Sequence, residues 1–350
     1  MAPLLAWIQF CYSPRMVHAI VAIFVCLSAH PDGRIAFVSG PNRTEQSVCV
    51  VDVATGETVR VGAGQRDSAP TWSPDGQWIA FESGSGASQI IRVVRADGTE
   101  GRVLAHTQSW NASPRWSPDG TRLVYSSGPM SESKIAVYDM KGDVETMWGG
   151  DRAGLLRPVW VNNDTVVALA VKRLASATAT EIVLAGPDGL SPLPENAMPS
   201  KGEYAAWFAE PHPKAFSLLF ETNDGGDREI YVIALKRGAL NISNHRAADW
   251  APRWSPDGRW VAFESFRDGR RGVYRVNPDT VLVQPLAVSQ DGDHWAPAWS
   301  PNSQWIAFVS DRSGTPELYV TDLHAKQTIP ITANGQFNDM PAWRPRGKGK

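Results

Sequence analysis

The sequence has few cysteines and no concentrated charge of one sign. Only Cys11, Cys26 and Cys49 occur in 350 residues, and no pair of them has Cys-x-x-Cys spacing. Neither a disulfide framework nor a zinc motif is therefore indicated. The formal net charge is −2, and the only basic run is the short tail at 346–350. Because a phosphate-binding surface needs clustered Lys and Arg, no nucleic-acid partner is expected.

The motifs of common active sites and cofactor sites are also missing. The chain has no Gly-x-Ser-x-Gly nucleophile elbow and no GxGxxG or GxxxxGK[ST] phosphate-binding loop. No long window carries a strong helical period, which argues against a helical domain. The sequence therefore indicates no catalytic residue and no cofactor.

Long hydrophobic runs are absent as well, apart from one short segment near the N-terminus. Residues 1–29 contain no Asp or Glu, and residues 19–27 are an apolar run of nine. Such a run is too short to cross a bilayer but suits a signal-peptide core, and 27–29 offers a small-residue cleavage site. We predict a signal peptide and a periplasmic or otherwise extracytoplasmic protein. The alternatives are an apolar strand packed on the domain and a cytoplasmic location.

What the sequence does contain is a repeat. Pro-x-Trp-Ser-Pro-Asp-Gly followed by an apolar triplet occurs at 70–81, 114–125 and 252–263, with a variant at 297–308. Degenerate copies lie at Pro158-Val-Trp160 and Ala205-Ala-Trp207. The repeated tryptophans are Trp72, Trp116, Trp160, Trp207, Trp254, Trp299 and Trp343. Their spacing of 44 to 47 residues is typical of a four-stranded propeller blade.

Counting the parts predicts the architecture. Each repeat has a strand ending at Trp, a tight Ser-Pro-Asp-Gly turn, an apolar second strand and two further strands. The first repeat, at 30–37, lacks its Trp strand, and an unpaired one remains at 339–343. We predict an all-β, seven-bladed propeller of four-stranded antiparallel blades over residues 30–345, with the C-terminal strand completing blade 1. Eight blades with one incomplete, or six with irregular ends, are the alternatives.

These repeats resemble the WD40-like (PD40) repeats of TolB-type β-propellers. The resemblance rests on Trp-Ser-Pro-Asp-Gly followed by Ile-Ala-Phe, and on 308–314, Phe-Val-Ser-Asp-Arg-Ser-Gly, which is similar to the family's next loop. It covers about residues 30–345. The family includes periplasmic TolB, the non-catalytic propellers of prolyl-oligopeptidase-type peptidases and a few propeller enzymes such as oligogalacturonate lyases. The resemblance therefore implies the fold and leaves binding and lyase functions open.

A polar column precedes the tryptophans. The residues five positions before each Trp are Asp67, Asn111, Leu155, Gly202, Asp249, His294 and Asn338. Each is expected at the start of an innermost strand, near the mouth of the central channel. We predict a polar ring there for a peptide end, a cation or a small polar ligand. The alternative is local, because Asp and Asn often open strands by bonding nearby backbone.

Two aromatic residues stand beside this ring. Trp250 follows Asp249, and Trp295 follows His294 in the next blade. As aromatic residues are enriched at interfaces, they are candidate contacts for a partner. They are equally suited to filling the gap between blades.

Histidines offer a weak metal hypothesis. His106, His245 and His294 all fall in or near connections that enter innermost strands, and histidine is a common ligand of transition metals. Their spacing matches no dedicated signature, so solvated loop histidines are the alternative.

Two functions follow from these observations. The first is a non-catalytic, extracytoplasmic and monomeric propeller that binds a protein or peptide on its channel-mouth face. The second is a metal-assisted propeller lyase or hydrolase acting on a polar polymer such as an oligosaccharide, with His245 and His294 as ligands. Membrane association is expected only through an uncleaved N-terminal segment.

Overall fold

A computed structural model describes residues 31–62, 64, 66–104, 110–173, 178–193, 206–215, 217–223, 226–234 and 238–347. These residues form seven four-stranded antiparallel sheets, the blades, whose innermost strands contact one another in a closed ring. The only helical segment in the described ranges is a single 3-10 turn at Gly86–Ser88. The predicted seven-bladed β-propeller is therefore confirmed.

The blades follow one another along the chain, each running outwards from its innermost strand. Blade 1 holds β1 (Arg34–Gly40), β2 (Ser47–Asp52) and β3 (Thr58–Arg60). Blade 2 holds β4 (Asp67–Trp72), β5 (Trp78–Ser83), β6 (Ile90–Arg95) and β7 (Arg102–Val103). Blade 3 holds β8 (Asn111–Trp116), β9 (Arg122–Ser127), β10 (Lys134–Asp139) and β11 (Val144–Trp148). Blade 4 holds β12 (Leu155–Asn162), β13 (Thr165–Arg173), β14 (Thr178–Gly186) and β15 (Gly189–Pro192).

The remaining strands complete the ring. Blade 5 holds β16 (Ala206–Pro211), β17 (Ser217–Thr222), β18 (Glu229–Ala234) and β19 (Gly238–Asn241). Blade 6 holds β20 (Asp249–Trp254), β21 (Val261–Ser265), β22 (Gly272–Asn277) and β23 (Leu282–Ala287). Blade 7 holds β24 (His294–Trp299), β25 (Trp305–Ser310), β26 (Glu317–Asp322) and β27 (Thr328–Pro330). The last strand, β28 (Phe337–Trp343), pairs with β1 and is the innermost strand of blade 1.

Closure of the ring occurs as the sequence predicts. In the β1–β28 pair, Ile35 lies opposite Trp343 and Ser39 lies opposite Asn338. Behind the seam, Ile35 and Trp343 share a core cluster with Leu318 of blade 7. Because β28 pairs with β1 within one sheet, the first and last strands of the propeller are joined to each other and neither is left without a partner strand.

The Ser-Pro-Asp-Gly turns fold as their composition indicates. In blade 2, the Trp78 amide donates to Ser73 Oγ at 2.9 Å and the Gln77 amide donates to Asp75 Oδ1 at 3.0 Å. Gly76 occupies the left-handed region with φ of 68°. The aspartates of these turns are therefore turn-forming residues, which satisfy the backbone locally.

The tryptophans that end the innermost strands link neighbouring blades. The Trp72 indole donates to the Ala342 carbonyl at 2.8 Å, and the Trp116 indole donates to the Thr71 carbonyl at 3.2 Å. Trp160 makes the equivalent bond to Arg115, at 3.0 Å. Each acceptor is the residue before the corresponding tryptophan of the preceding blade. Trp299 does the same to Arg253, at 3.0 Å, so in blades 2, 3, 4 and 7 the repeated tryptophan gives the preceding blade an indole donor.

Blade 5 departs from the repeat, and the predicted alignment of its innermost strand with the other repeats is wrong. Ala206 lies opposite Thr222 and Pro211 lies opposite Leu218, just as Asp67 and Trp72 lie opposite the ends of β5. Pro211, not Trp207, therefore stands at the strand-end position. Ala206 therefore belongs to the column that opens the innermost strands, and Gly202 lies outside the described residues.

The turn after β16 replaces Ser-Pro-Asp-Gly with a different arrangement. The amides of Lys214 and Ala215 donate to His212 Nδ1 at 3.0 and 2.8 Å, so Nε2 carries the proton that faces the Gly258 carbonyl at 3.1 Å. The imidazole also packs edge-on against Trp254, with 4.6 Å between ring centroids. His212 therefore links blade 5 to the following blade, blade 6.

Candidate functional site

The polar column lies on the face of the ring where loops enter the innermost strands, together with the loops that join second and third strands. We call this the entry face. Asp67, Asn111, Asp249 and His294 open their strands and Asn338 is the second residue of β28, but each of the five is at most 1% exposed. The structure therefore places these side chains between blades, and a ligand at the channel mouth would not meet them directly.

The column residues bond within the fold. Asp67 Oδ1 accepts from Ser83 Oγ at 2.7 Å, and His294 Nδ1 lies 2.8 Å from Ser310 Oγ. Further contacts are Asn111 Nδ2 to Gln89 O (3.3 Å), Asp249 Oδ2 to Arg267 Nη2 (2.9 Å) and Asn338 Nδ2 to Glu317 Oε2 (2.9 Å). Leu155, the apolar member, lies opposite an alanine instead. Each polar column residue thus has a hydrogen-bonding neighbour within the fold, and the apolar one has an apolar neighbour, as expected for buried side chains.

Burial dominates the electrostatics of this column. It raises the pKa of Asp67 and of Asp249 above the usual aspartate range, and the serine hydroxyls beside them oppose that rise. Burial also lowers the pKa of His294 to about 4, with the Arg312 guanidinium adding to the effect. His294 is therefore neutral at physiological pH.

The metal hypothesis finds limited support. His294 Nε2 faces Arg312 Nη2 at 3.5 Å, and an arginine beside a ligand position disfavours a cation. His245 Nδ1 accepts from the Ala247 amide at 3.1 Å, and His106 lies outside the described residues. Among the residues that the structure describes, no group of three or more His, Cys, Asp or Glu side chains is placed to hold a metal ion.

Two residues beyond the column, the innermost strands bulge. Ala69, Ser113, Arg157, Ala251, Ala296 and Met340 all have φ between 49° and 59°, although none is glycine. The pairing register of their strands shifts at this point. Bulges of this kind redirect side chains, and strained backbone often marks functional sites.

Glutamates of the second strands hold several bulges in place. Glu82 Oε1 accepts from the Ser113 amide at 2.7 Å, and Glu264 Oε1 accepts from the Ala296 amide at 2.8 Å. Glu221 does the same for Ala251, at 2.7 Å. In each case the acceptor belongs to the preceding blade. The carboxylates therefore fix the relative positions of adjacent innermost strands at the channel mouth.

In blades 5 to 7, arginines and tryptophans surround these carboxylates. We call Trp207, Arg228, Trp250, Arg271 and Trp295 the aromatic–arginine arc. Arg228 Cζ lies 4.8 Å from the Trp207 ring centroid. Arg271 Cζ lies 5.6 Å from that of Trp250 and 5.3 Å from that of Trp295. Arg228 pairs with Glu221, and Arg271 donates to Glu264 at 2.6 Å.

The two tryptophans predicted to bind a partner differ in exposure. Trp295 is 7% exposed and its indole donates to Asp339 Oδ1 at 3.1 Å, so it packs between blades. Trp250 is only partly buried, and its ring lies 5.2 Å from that of Phe266, which is 44% exposed. Trp250 and Phe266 therefore form the accessible part of this surface, and Phe266 was not anticipated from the sequence.

A sequence signal for the arc exists. Trp207 and Trp250 are each followed by Glu 14 residues later and by Arg 7 residues after that, giving Glu221–Arg228 and Glu264–Arg271. The pattern is hidden because Trp207 resembles a strand-end tryptophan, although the strand-end position of blade 5 is four residues further on, at Pro211.

The fold and the channel-mouth geometry define a closed seven-bladed propeller with a differentiated entry face. The sequence profile described as "TolB beta propeller domain" matches residues 12–185, about half of the chain. The chain belongs to the TolB-type (PD40) β-propeller family. A curated relative, the Tol-Pal system protein TolB of Syntrophus aciditrophicus, is 29% identical over 66 residues. That match spans 17% of this chain and only 15% of the relative.

Solved structures share the fold at low identity. TolB from Acinetobacter baumannii is 19% identical, with a TM-score of 0.59 over 93% of this chain and 70% of that one. Oligogalacturonate lyase from Vibrio parahaemolyticus is 16% identical, with a TM-score of 0.61 over 82% of this chain and 86% of that one. Since one fold serves both, the likeness alone does not choose between binding and catalysis.

One further observation bears on the membrane. Across the described ranges, no helix has the length and apolar character needed to span a bilayer.

Proposed function

We propose that this protein is a non-catalytic, extracytoplasmic propeller that binds a protein or peptide partner on its entry face. The observation that carries the proposal is the aromatic–arginine arc. Exposed aromatic side chains beside arginines are the residue types enriched at the energetic centres of interfaces. Trp250 and Phe266 supply accessible apolar area, while Arg228 and Arg271 retain side-chain exposures of 36% and 29%.

The rigidity of this surface supports binding. Arg271 is held by Glu264 and lies between two indole rings, so its orientation is fixed before a partner arrives. Preorganised side chains lose little conformational entropy on association. The carboxylates of Glu221 and Glu264 beside the arc are engaged in ion pairs and in bulge hydrogen bonds, which suits a structural contribution better than proton transfer.

The extracytoplasmic location has separate support. The apolar run at 19–27 has the length of a signal-peptide core, and the curated relative that matches is a Tol-Pal system protein. The buried column residues Asp249 and His294 take a supporting part in this proposal because they open the strands that carry Trp250 and Trp295.

The test is partner capture with a double variant, Trp250→Ala/Phe266→Ala. Immobilised protein is exposed to an extract of the source cells, and captured proteins are quantified by mass spectrometry. We expect at least one protein retained by the wild type to be lost from the variant. Trp295 is left intact because it is buried and its removal would disturb packing.

A matched control removes exposed apolar area from the outermost strands of blades 5 and 6. Leu240 and Leu282, on outer strands, are 47% and 59% exposed. Leu240→Ala/Leu282→Ala should retain the captured protein. Retention of every captured protein by both double variants would show that the arc is not the binding surface.

A further inference from the structure

The interface between blades 4 and 5 is built differently from the other six. Each interface has its own core cluster, and in the other six clusters the strand-end tryptophan of the following blade is buried: Trp72, Trp116, Trp160, Trp254, Trp299 and Trp343. In the cluster between blades 4 and 5, the described residues include no tryptophan. Pro211 stands at the strand-end position there. This interface therefore forms without the indole that fills the same place elsewhere in the ring.

The wall that an indole would cover is more open at this interface. Val50 of blade 1 packs in one cluster with Trp72 and is 4% exposed. Leu184 holds the same position in blade 4, because each lies on a third strand, one residue before the residue level with the strand-end tryptophan of its own blade. Leu184 is partly exposed, although it is as apolar as Val50. The added exposure is what the absence of a covering side chain predicts.

A cavity of about 340 Å³ lies at this place. Val161 and Leu184 line it from blade 4, and Leu218, the residue opposite Pro211, lines it from blade 5. The blade 5 turn at 212–215 lines another part of it. An apolar cavity of roughly 150 Å³ already admits benzene, so this one has room for the larger ring system of an indole.

The histidine of the blade 5 turn does not substitute for the indole. Strand-end tryptophans bond to the preceding blade, as Trp72 does to the Ala342 carbonyl at 2.8 Å. His212 instead faces the Gly258 carbonyl at 3.1 Å and packs against Trp254, and both belong to the following blade. The imidazole is therefore held on the blade 6 side of the turn, and the cavity remains on the blade 4 side.

The rim of the cavity indicates what kind of molecule carries the ring. Asn162, Pro213, Lys214 and Ala215 are exposed, so the cavity opens to solvent on the face of the Ser-Pro-Asp-Gly turns, opposite the entry face. We call this the turn face. Sites for free small molecules bury about 70–90% of the ligand, whereas a ring held here leaves its substituents in solvent. An open site of this size suits one side chain of a longer chain.

The rim also has a charge that selects a partner. Among the described residues that line the cavity, Lys214 is the one Lys, Arg, Asp or Glu, and no carboxylate in that part of the chain lies within ion-pair distance of it. A carboxylate beside the bound ring would be complementary to this ammonium group.

We propose that this cavity binds a tryptophan side chain of a peptide partner, with a carboxylate next to the ring that pairs with Lys214. Tryptophans inserted into pockets are among the residues that contribute most to the affinity of interfaces. The bound indole would complete the ring of seven, covering Leu184 and Leu218 as the chain's own tryptophans cover their equivalents. The site lies on the turn face and does not depend on the aromatic–arginine arc.

The test measures binding of three small probes by saturation-transfer NMR. N-acetyl-tryptophan carries the ring and a carboxylate, N-acetyl-tryptophanamide carries the ring alone, and N-acetyl-leucine carries the carboxylate alone. We expect N-acetyl-tryptophan to bind most tightly, its amide about two- to fivefold more weakly, as for an exposed ion pair, and N-acetyl-leucine weakest. Equal binding of N-acetyl-leucine and N-acetyl-tryptophan would overturn the proposal.

Two variants fill the cavity from opposite sides. Pro211→Trp supplies the residue that the other blades have, and Leu184→Phe enlarges the blade 4 wall. Each should weaken N-acetyl-tryptophan at least about tenfold, and Pro211→Trp should also raise the thermal unfolding midpoint, because filling a cavity is stabilising. Leu240→Phe adds a ring on an exposed outer strand and should bind like the wild type. Unchanged binding in both filled variants, or in Leu184→Phe if Pro211→Trp does not fold, would overturn the site.

The charge has its own matched pair of variants. Lys214→Gln should bind N-acetyl-tryptophan and its amide equally, whereas Lys326→Gln, at an exposed turn of blade 7, should keep the preference for the carboxylate. A preference that persists in Lys214→Gln would overturn the assignment of the carboxylate to this lysine.

Two further measurements identify the source of the ring and separate this proposal from the entry-face function. A pentapeptide with blocked ends and a central Trp-Asp should bind at least as tightly as N-acetyl-tryptophan. Binding of indole-3-acetate without binding of that peptide would identify a free aromatic acid as the ligand and overturn the peptide assignment. Trp250→Ala/Phe266→Ala should bind all probes like the wild type. Loss of probe binding in that variant would place the probes on the entry face and overturn the turn-face site.

Discussion

Acidification should destabilise the propeller through His294, and the expected loss can be worked out from the structure. His294 is fully buried, and its pKa falls from an ordinary value of 6.5 to about 4. Between these values the unfolded chain binds a proton that the folded chain does not bind. The free energy of unfolding therefore falls as the pH falls from 6.5 towards 4, and no contribution is expected above that window.

The magnitude follows from the two pKa values. Over the whole window the loss approaches roughly 3 kcal/mol, and by pH 5 it reaches about 2 kcal/mol. The proton has no favourable place in the folded state. Arg312 can only donate, so His294 Nε2 faces it as an unprotonated acceptor while Nδ1–H points to Ser310 Oγ.

The assay is urea-induced unfolding at a series of pH values from 7.5 to 5, comparing the wild type with His294→Asn. Asparagine is a suitable replacement because Asn111 and Asn338 occupy the same column in blades 3 and 1. Buried carboxylates such as Asp249 also titrate, but they are present in both proteins and cancel in the difference. His324→Asn, at an exposed turn, is the control and should behave like the wild type. An unchanged pH dependence in His294→Asn would refute the reasoning.

Two further predictions concern the channel mouth and the seam. Glu264→Ala removes the acceptor of Arg271 and of the Ala296 amide, so we expect urea unfolding to show a loss of about 3–5 kcal/mol. Glu264→Gln, which keeps one oxygen for the amide, should lose less, and equal losses would contradict the bulge assignment. Trp343→Ala, at a 7% exposed seam residue, should also lose about 3–5 kcal/mol. Trp305→Ala, at a partly exposed position, should lose clearly less, and similar losses would contradict the packing argument.

The parts of the fold that depend on local chemistry were predictable from the sequence. The turn at Ser73–Gly76 requires a proline, a local hydrogen-bonding side chain and a residue that accepts positive φ, and the sequence shows all three. Closure by β28 followed from counting strands, because the first repeat lacks its Trp-containing strand and the C-terminus has one such strand without a repeat of its own. Both inferences use features that the repeat displays several times.

The error in blade 5 has a specific cause. In the other repeats a tryptophan marks the strand end, five residues after the column residue, but Trp207 is the second residue of β16. Ala206–Trp207 corresponds to Asp249–Trp250 and His294–Trp295, a column residue followed by Trp. Without the Ser-Pro-Asp-Gly turn, nothing in the local sequence distinguishes the two kinds of tryptophan.

Whether the polar column is buried or exposed to solvent could not be predicted from the column residues alone. A polar residue at a strand start is equally compatible with solvent and with a buried partner. A longer-range signal was present: Asp67, Asn111, Asp249 and His294 are each followed by serine 16 residues later, at their cross-strand partners. Only the strand pairing gives that spacing a meaning, since it places each serine opposite its column residue.

The distribution of side chains around the ring argues for a binding role in one sector. The bulges of blades 3 and 4 are held by Glu82 and by Ser126 Oγ, so the fold needs only an acceptor at that position. Around Glu221 and Glu264, tryptophan and arginine side chains are also present, although the bulge amides require no more than a hydrogen-bond acceptor. These additions leave Phe266 and part of Trp250 in solvent, where apolar area contributes nothing to folding. This apolar area, which the fold does not require, is the feature on which the proposed binding role rests.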